Sequence, residues 1–183
     1  MTRDMGLKKI VSGGQTGVDR AALDAALTAE FPCGGWAPGD RMAEDGIIPA
    51  RYPLIALPHG GYRQRTRLNV TDSDGTAILL NEILKGGSRL TRNLCALLKR
   101  PYILINAGMT RDPLEAAGAI LKFIDENKIE VLNVSGPRAS GWVDGYRFAL
   151  DAIGSVIAGS IAGELRQGEP HGGERPDTPG QAS

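Results

Sequence analysis

Cysteine and histidine are scarce, with two of each in 183 residues. Cys33 and Cys95 form no CxxC pair, and His59 and His171 stand in no metal-ligand spacing with them, which excludes a disulfide scaffold and a zinc site of the usual pattern. Excess charge is missing too. The 21 Lys and Arg equal the 21 Asp and Glu, so the field of the whole molecule draws in neither nucleic acid nor anionic lipid, and any anion site must be local. The longest apolar stretch, Ala149 to Ala162, is too short to span a bilayer and is broken by Asp151. Met1 to Gly6 lacks an apolar signal core. Together these absences lead to the expectation of a soluble, untargeted cytoplasmic protein with no metal site of its own and no nucleic acid or membrane as a partner.

What is present is a repeated alternation. Lys8 to Ser12 reads as a short strand, runs into Gly13-Gly14-Gln15-Thr16-Gly17, and is followed by an alanine-rich helix from Val18 to Glu30 whose stripe Val18, Ala22, Ala25 and Ala29 has helical spacing. Thr76 to Leu80 is a second strand, Lys85-Gly86-Gly87-Ser88 a second glycine turn, and Ser88 to Lys99 a second helix. Tyr102 to Ile105 is a third strand. Asp112-Pro113-Leu114-Glu115 then supplies an N-cap, a first-turn proline and a capping-box glutamate for a helix to about Asn127. Glu130 to Val134 is a fourth strand ending at Gly136-Pro137-Arg138, and Val143 to Ser160 a closing helix. Strand and helix in alternation imply an α/β fold: one three-layer domain over residues 1–162 with a mainly parallel sheet. Residues 163–183 are rich in Gly, Pro and Glu and read as a disordered tail. Between the first helix and the second strand, Phe31 to Gly61 is dense in Gly and Pro and reads as a long binding loop or lid with only brief regular structure.

In open α/β sheets ligands bind beyond the carboxyl ends of the strands, where strand order reverses. Three glycine turns fall there. Gly13, Gly14, Gln15, Thr16 and Gly17 open a helix, whose free amides and dipole would favour a phosphate by roughly 0.3–1 kcal/mol before charge-assisted hydrogen bonds are added. The spacing is neither a P-loop nor GxGxxG. Asp19 and Arg20 follow; Asp19 suits the dipole but repels a phosphate, so it either contacts a ribose-like hydroxyl or a metal bound with the ligand, with Arg20 balancing its charge, or simply caps the helix. Gly86, Gly87, Ser88 and Thr91 form a second candidate cradle, with Ser88 alternatively a plain N-cap. Gly136 and Arg138 add a third turn and a guanidinium fork. Arg63, Arg65 and Arg67 precede Asp72-Ser73-Asp74-Gly75-Thr76; Arg65 and Asp74 are taken as pocket residues, against the alternative of a solvated face. Trp36, Tyr62 and Trp142 could stack a heteroaromatic ring or sit in the core. Asp19, Glu44 and Asp45 are the carboxylates available for acid-base chemistry.

Ser12-Gly13-Gly14-Gln15-Thr16-Gly17-Val18-Asp19-Arg20-Ala21-Ala22-Leu23-Asp24 resembles the opening motif of the putative molybdenum carrier family, also described as circularly permuted YpsA-type SLOG proteins. The likeness continues through Gly34-Gly35-Trp36, Arg41-Met42-Ala43-Glu44-Asp45-Gly46, Arg65-Thr66, Asp72-Ser73-Asp74-Gly75-Thr76, Gly86-Gly87-Ser88 and Asn133-Val134-Ser135-Gly136-Pro137-Arg138. The resemblance implies a Rossmann-like fold that binds a phosphate-bearing nucleotide-like or pterin ligand, with molybdenum cofactor carriage as the namesake role, and a homo-oligomer. SLOG proteins also resemble LOG-type phosphoribohydrolases, nucleotide N-glycosidases whose glycine motif is followed by a glutamate. Lys85 to Asn93 brings no such glutamate, so binding is expected ahead of hydrolysis. A magnesium-dependent aspartyl phosphatase reading of Asp72-Ser73-Asp74-Gly75-Thr76 is weaker still, because no strongly apolar strand precedes Asp72.

Overall fold

A computed structural model describes residues 6–167. Eight strands and five helices follow in the order β1 (Lys9–Val11), α1 (Val18–Thr28), β2 (Cys33–Ala37), β3 (Met42–Ala43), β4 (Gly46–Ile47), β5 (Leu54–Ala56), α2 (Tyr62–Thr71), β6 (Gly75–Leu80), α3 (Gly86–Leu97), β7 (Tyr102–Asn106), α4 (Pro113–Asn127), β8 (Val131–Ser135) and α5 (Gly145–Gln167), with a 3-10 turn at Ala139–Gly141 before α5. Six strands form one parallel sheet in the order β5-β2-β1-β8-β6-β7. β3 and β4 pair antiparallel as a separate hairpin. The α/β expectation is met.

The central strands show why. All six residues of β6 are buried, as a strand covered on both faces requires. α1, α4 and α5 pack together on one face, and α2 packs on α3 and β2 on the other. The main core lies under the first group, where Ile10, Leu79, Ile120, Leu132, Ile153 and Ile157 are almost fully buried. The alanines of α1, Ala21, Ala22 and Ala26, are buried in that core, where small side chains permit close packing. The other face is more polar: Ser12, Thr76, Thr91 and Asn133 are buried beside a small apolar cluster of Val70, Leu94 and Cys95.

Three differences from the sequence expectations have physical causes. β2 and β5 extend the sheet inside the segment read as a loop. Gly35 carries the backbone of β2 with φ 133°, and a Cβ there would lie 2.2 Å from the Ser12 carbonyl; Asn69 of α2 then accepts from the Trp36 amide at 2.8 Å and donates to its carbonyl at 3.2 Å. α2 itself takes up the arginine-rich stretch. Finally, α5 continues to Gln167, past the expected boundary at residue 163; residues 168–183 lie outside the described residues, and with them most of the tail. No helix of the described residues is long and apolar enough to cross a membrane.

Candidate functional site

From β1 the chain moves outward to β2 through α1, and from β6 it moves outward the other way to β7 through α3; β8 lies between the two. The carboxyl ends of β1, β8 and β6 therefore meet where strand order reverses, and all three glycine turns leave from them. The start of α2, with Arg65, lies at the same end because it follows β5.

The first turn is mostly satisfied from within. The Asp19 carboxylate, 3% exposed, takes a 3.1 Å ion pair from Arg65 Nη1 and hydrogen bonds from the amides of Gln15 and Gly136. Burial pushes its carboxyl above the usual carboxylate range, against the pull of Arg65 and of those amides. The Thr16 amide donates to the side chain of Gln15 at 3.0 Å, and the Val18 amide to the Pro137 carbonyl at 3.3 Å. The glycines are there for packing. At Gly13 a Cβ would lie 1.6 Å from Arg65 Nη1, at Gly14 (φ 77°) 2.4 Å from Leu54, at Gly17 (φ 77°) 2.6 Å from the Pro137 carbonyl, and at Gly136 2.6 Å from the Leu79 carbonyl. Asp19 is thus a structural tie among three loops. It does not cap α1, since Gly17 holds the N-cap position without a side-chain bond.

The second turn is different. α3 starts after Lys85 with no side-chain cap and no acidic residue in its first turn. The amides of Gly86, Gly87 and Ser88 meet no acceptor among the described residues. A Cβ placed on Gly86 or Gly87 would touch no atom within 4 Å, so these glycines line open space. Ser88 is the third helical residue and not the N-cap, and both Ser88 and Thr91 are buried. Thr91 Oγ1 donates to the Gly87 carbonyl at 3.0 Å and lies 3.2 Å from Ser135 Oγ at the end of β8.

Over the first turn lies the β3–β4 hairpin, whose tip is Glu44-Asp45. The Glu44 carboxylate accepts from Thr16 Oγ1, from Ser140 N at 3.1 Å and Ser140 Oγ at 2.6 Å, and pairs with Arg138 Nε at 3.4 Å. The hydroxyl of Ser140, then that of Thr16, hold its carboxyl below the usual glutamate range. Asp45 forms a two-pronged pair with Arg20, which also donates to the Gly14 carbonyl at 3.1 Å; the Arg20 bond lowers the Asp45 carboxyl likewise. Gln15 Oε1 accepts from the Glu44 amide at 2.9 Å. On the far side of the hairpin, Tyr62 Oη donates to the Met42 carbonyl at 3.1 Å.

Residues 10–157 match the model of the circularly permutated YpsA SLOG family. The chain belongs to that family. A solved structure similar to this SLOG chain is that of a putative molybdenum carrier protein from Syntrophus aciditrophicus, at 42% identity and a TM-score of 0.79, over 83% of this chain and 96% of that one. Among curated proteins nothing matches.

Of the residues expected at the site of this SLOG domain, all but Asp74 gather at the carboxyl end of the sheet. Asp74 lies before β6, at the opposite end, where its Oδ2 accepts from the Glu130 and Val131 amides at 3.1 and 2.8 Å. Asp72 is beside it, accepting from Trp36 Nε1 at 2.7 Å, so neither follows a strand as a phosphatase nucleophile would. Trp142 packs on Phe148 in the core, with ring centroids 5.4 Å apart. Ser135 and Ser140 are contacts that the sequence reading did not select; the hydroxyls flanking Gly136 and Arg138 were the available signal. Among the described residues, no three His, Cys, Asp or Glu side chains converge as metal ligands would.

Proposed function

We propose that this SLOG domain is a binding protein for a phosphate-bearing ligand of nucleotide or pterin type, with the phosphate on the N-terminus of α3. The uncapped start of that helix carries the reading. The amides of Gly86, Gly87 and Ser88 have no acceptor among the described residues, a Cβ on either glycine would meet open space, Lys85 and Arg89 flank the turn, and the first turn of the helix holds no acidic residue. The Syntrophus protein is called a putative molybdenum carrier, and the pterin phosphate of molybdenum cofactor has the same handle, which supports molybdenum cofactor as the cargo of this chain. The ligand is cargo here. Asp19, Glu44 and Asp45, the carboxylates available for N-glycoside cleavage, are each held in an ion pair, which favours binding over turnover. We place a homo-oligomer in the same proposal: edge strand β7 leaves Tyr102 and Leu104 exposed, with Leu97 and Ile83 also exposed on and before α3.

Gly87→Ala tests the site. Its Cβ meets nothing in the protein, and alanine is the better helix former by up to about 1 kcal/mol, so the melting temperature should hold or rise. Calorimetry with AMP, GMP and molybdenum cofactor should show binding to the parent protein weakened about tenfold or more in the variant, as loss of one charge-assisted bond predicts. Chromatography of the same mixtures should show no free base. Equal affinity in Gly87→Ala would move the phosphate away from α3, and sustained base release would replace the binding protein with a glycosidase.

A further inference from the structure

The Glu44 carboxylate is surrounded as a bound anion would be. Donors reach it from two separate segments: the hydroxyl of Thr16 before α1, and the turn after β8, which supplies the guanidinium of Arg138 and both the amide and the hydroxyl of Ser140. The carboxylate belongs to none of these elements. It is delivered by the tip of a hairpin that forms its own two-stranded sheet and has no ladder to the main one.

The hairpin is held differently at its base and at its tip. Its base is anchored by Ala43 and Ile48, buried with Leu23, Ala37, Tyr52 and Leu54. Its tip is polar and ends at Gly46, where φ is 110° and no atom lies within 4 Å of a prospective Cβ. A second unmet donor lies at the start of the same glycine turn, beside Gly13. Arg65 is 9% exposed, stands beside Gly13, and its buried Nε has no hydrogen-bond partner among the described residues. Tyr62, one helical turn before Arg65, carries the hydroxyl that touches the hairpin at Met42.

We propose that Thr16, Arg138 and Ser140 form a second oxyanion subsite, which Glu44 fills as an internal stand-in until a phosphate displaces it and lifts the hairpin tip. The proposal rests on the phosphate-ligand reading above and adds a separate position, away from α3. Inorganic phosphate and the terminal phosphate of a nucleoside diphosphate share the chemistry it recognises. A cradle held closed by its own carboxylate binds with an affinity reduced by the fraction of time it is open.

The test measures inorganic phosphate, AMP and ADP binding by calorimetry, together with amide hydrogen exchange. Glu44→Ala should bind inorganic phosphate about tenfold more tightly than the parent protein, the factor expected if the tip is open about a tenth of the time. Adding Arg138→Gln should erase that gain. In the parent protein, phosphate should speed exchange over residues 42–47 and slow it at Ser140. A gain for ADP that exceeds the gain for AMP assigns the subsite to the ligand's second phosphate; equal gains assign it to free phosphate. Unchanged or weaker phosphate binding in Glu44→Ala, or a gain that survives Arg138→Gln, overturns the proposal. If Glu44→Ala unfolds, Glu44→Gln replaces it, since it removes the charge that fills the cradle and keeps the side chain's size; no gain there overturns the proposal equally. Gly87→Ala keeps the two readings apart: it should weaken binding at α3 and leave the Glu44→Ala gain intact.

Discussion

Asp19 and Arg65 are 46 residues apart and meet inside the protein at 3.1 Å. Removing one member of a buried pair strands the other, at a cost of about 3–5 kcal/mol. Arg65→Met should therefore lower the urea midpoint sharply, Asp19→Asn should do so too, and the double variant should lose clearly less than the sum; additive losses would show that the two are not coupled. Glu44 provides a pH signature. Its folded carboxyl lies below its ordinary 4.5, so its contribution to stability is complete above that value and disappears as pH falls through the depressed one. The stability gap between parent and Glu44→Gln should be constant at neutral pH and narrow in acid. A gap that widens in acid would refute the assignment. These residues also mark the limit of sequence reading. Asp19, Arg65 and Glu44 could be chosen by type and by their place near glycine turns, but partner choice is tertiary, and nothing near Asp19 in the chain names Arg65.

Elements with strong local signals were legible: α4, with the Asp112 side chain accepting from the Leu114 amide at 2.9 Å and Pro113 following, and β6, β7 and β8, whose apolar runs are bounded by turns. Those held by distant groups were not. β2 contains two glycines and would be a poor strand alone; it is held by β1 and β5 on either side and by the amide of Asn69. α2 has a polar sequence, and its place depends on Arg65, Thr66, Asn69 and Val70 turning inward. α5, by contrast, is secured by its own apolar stripe. Ile153→Ala in its buried face should cost about 2–5 kcal/mol, read as a lowered denaturant midpoint with an unchanged slope. A loss below 1 kcal/mol would mean that α5 does not seal the core.

At the scale of the whole molecule, net charge is zero, so no long-range repulsion opposes association between copies. If β7 is the contact surface, sedimentation of the parent protein should show an oligomer and Leu104→Lys should shift it toward monomer. An unshifted distribution would place the contact elsewhere. The order of strands has a further consequence, for synthesis. Of the described strands β8 is made last, yet it lies between β1 and β6, and Ser12 Oγ donates to the Val134 carbonyl at 2.8 Å. Until residues 131–135 leave the ribosome, any sheet the nascent chain forms can exist only as two halves, β5-β2-β1 and β6-β7, each without its inner partner. At about 5–20 residues per second this interval lasts several seconds. A ribosome stalled before Val131 would therefore present two unpaired apolar edges, and the chaperone demand of this protein should peak there and fall once β8 is free to insert.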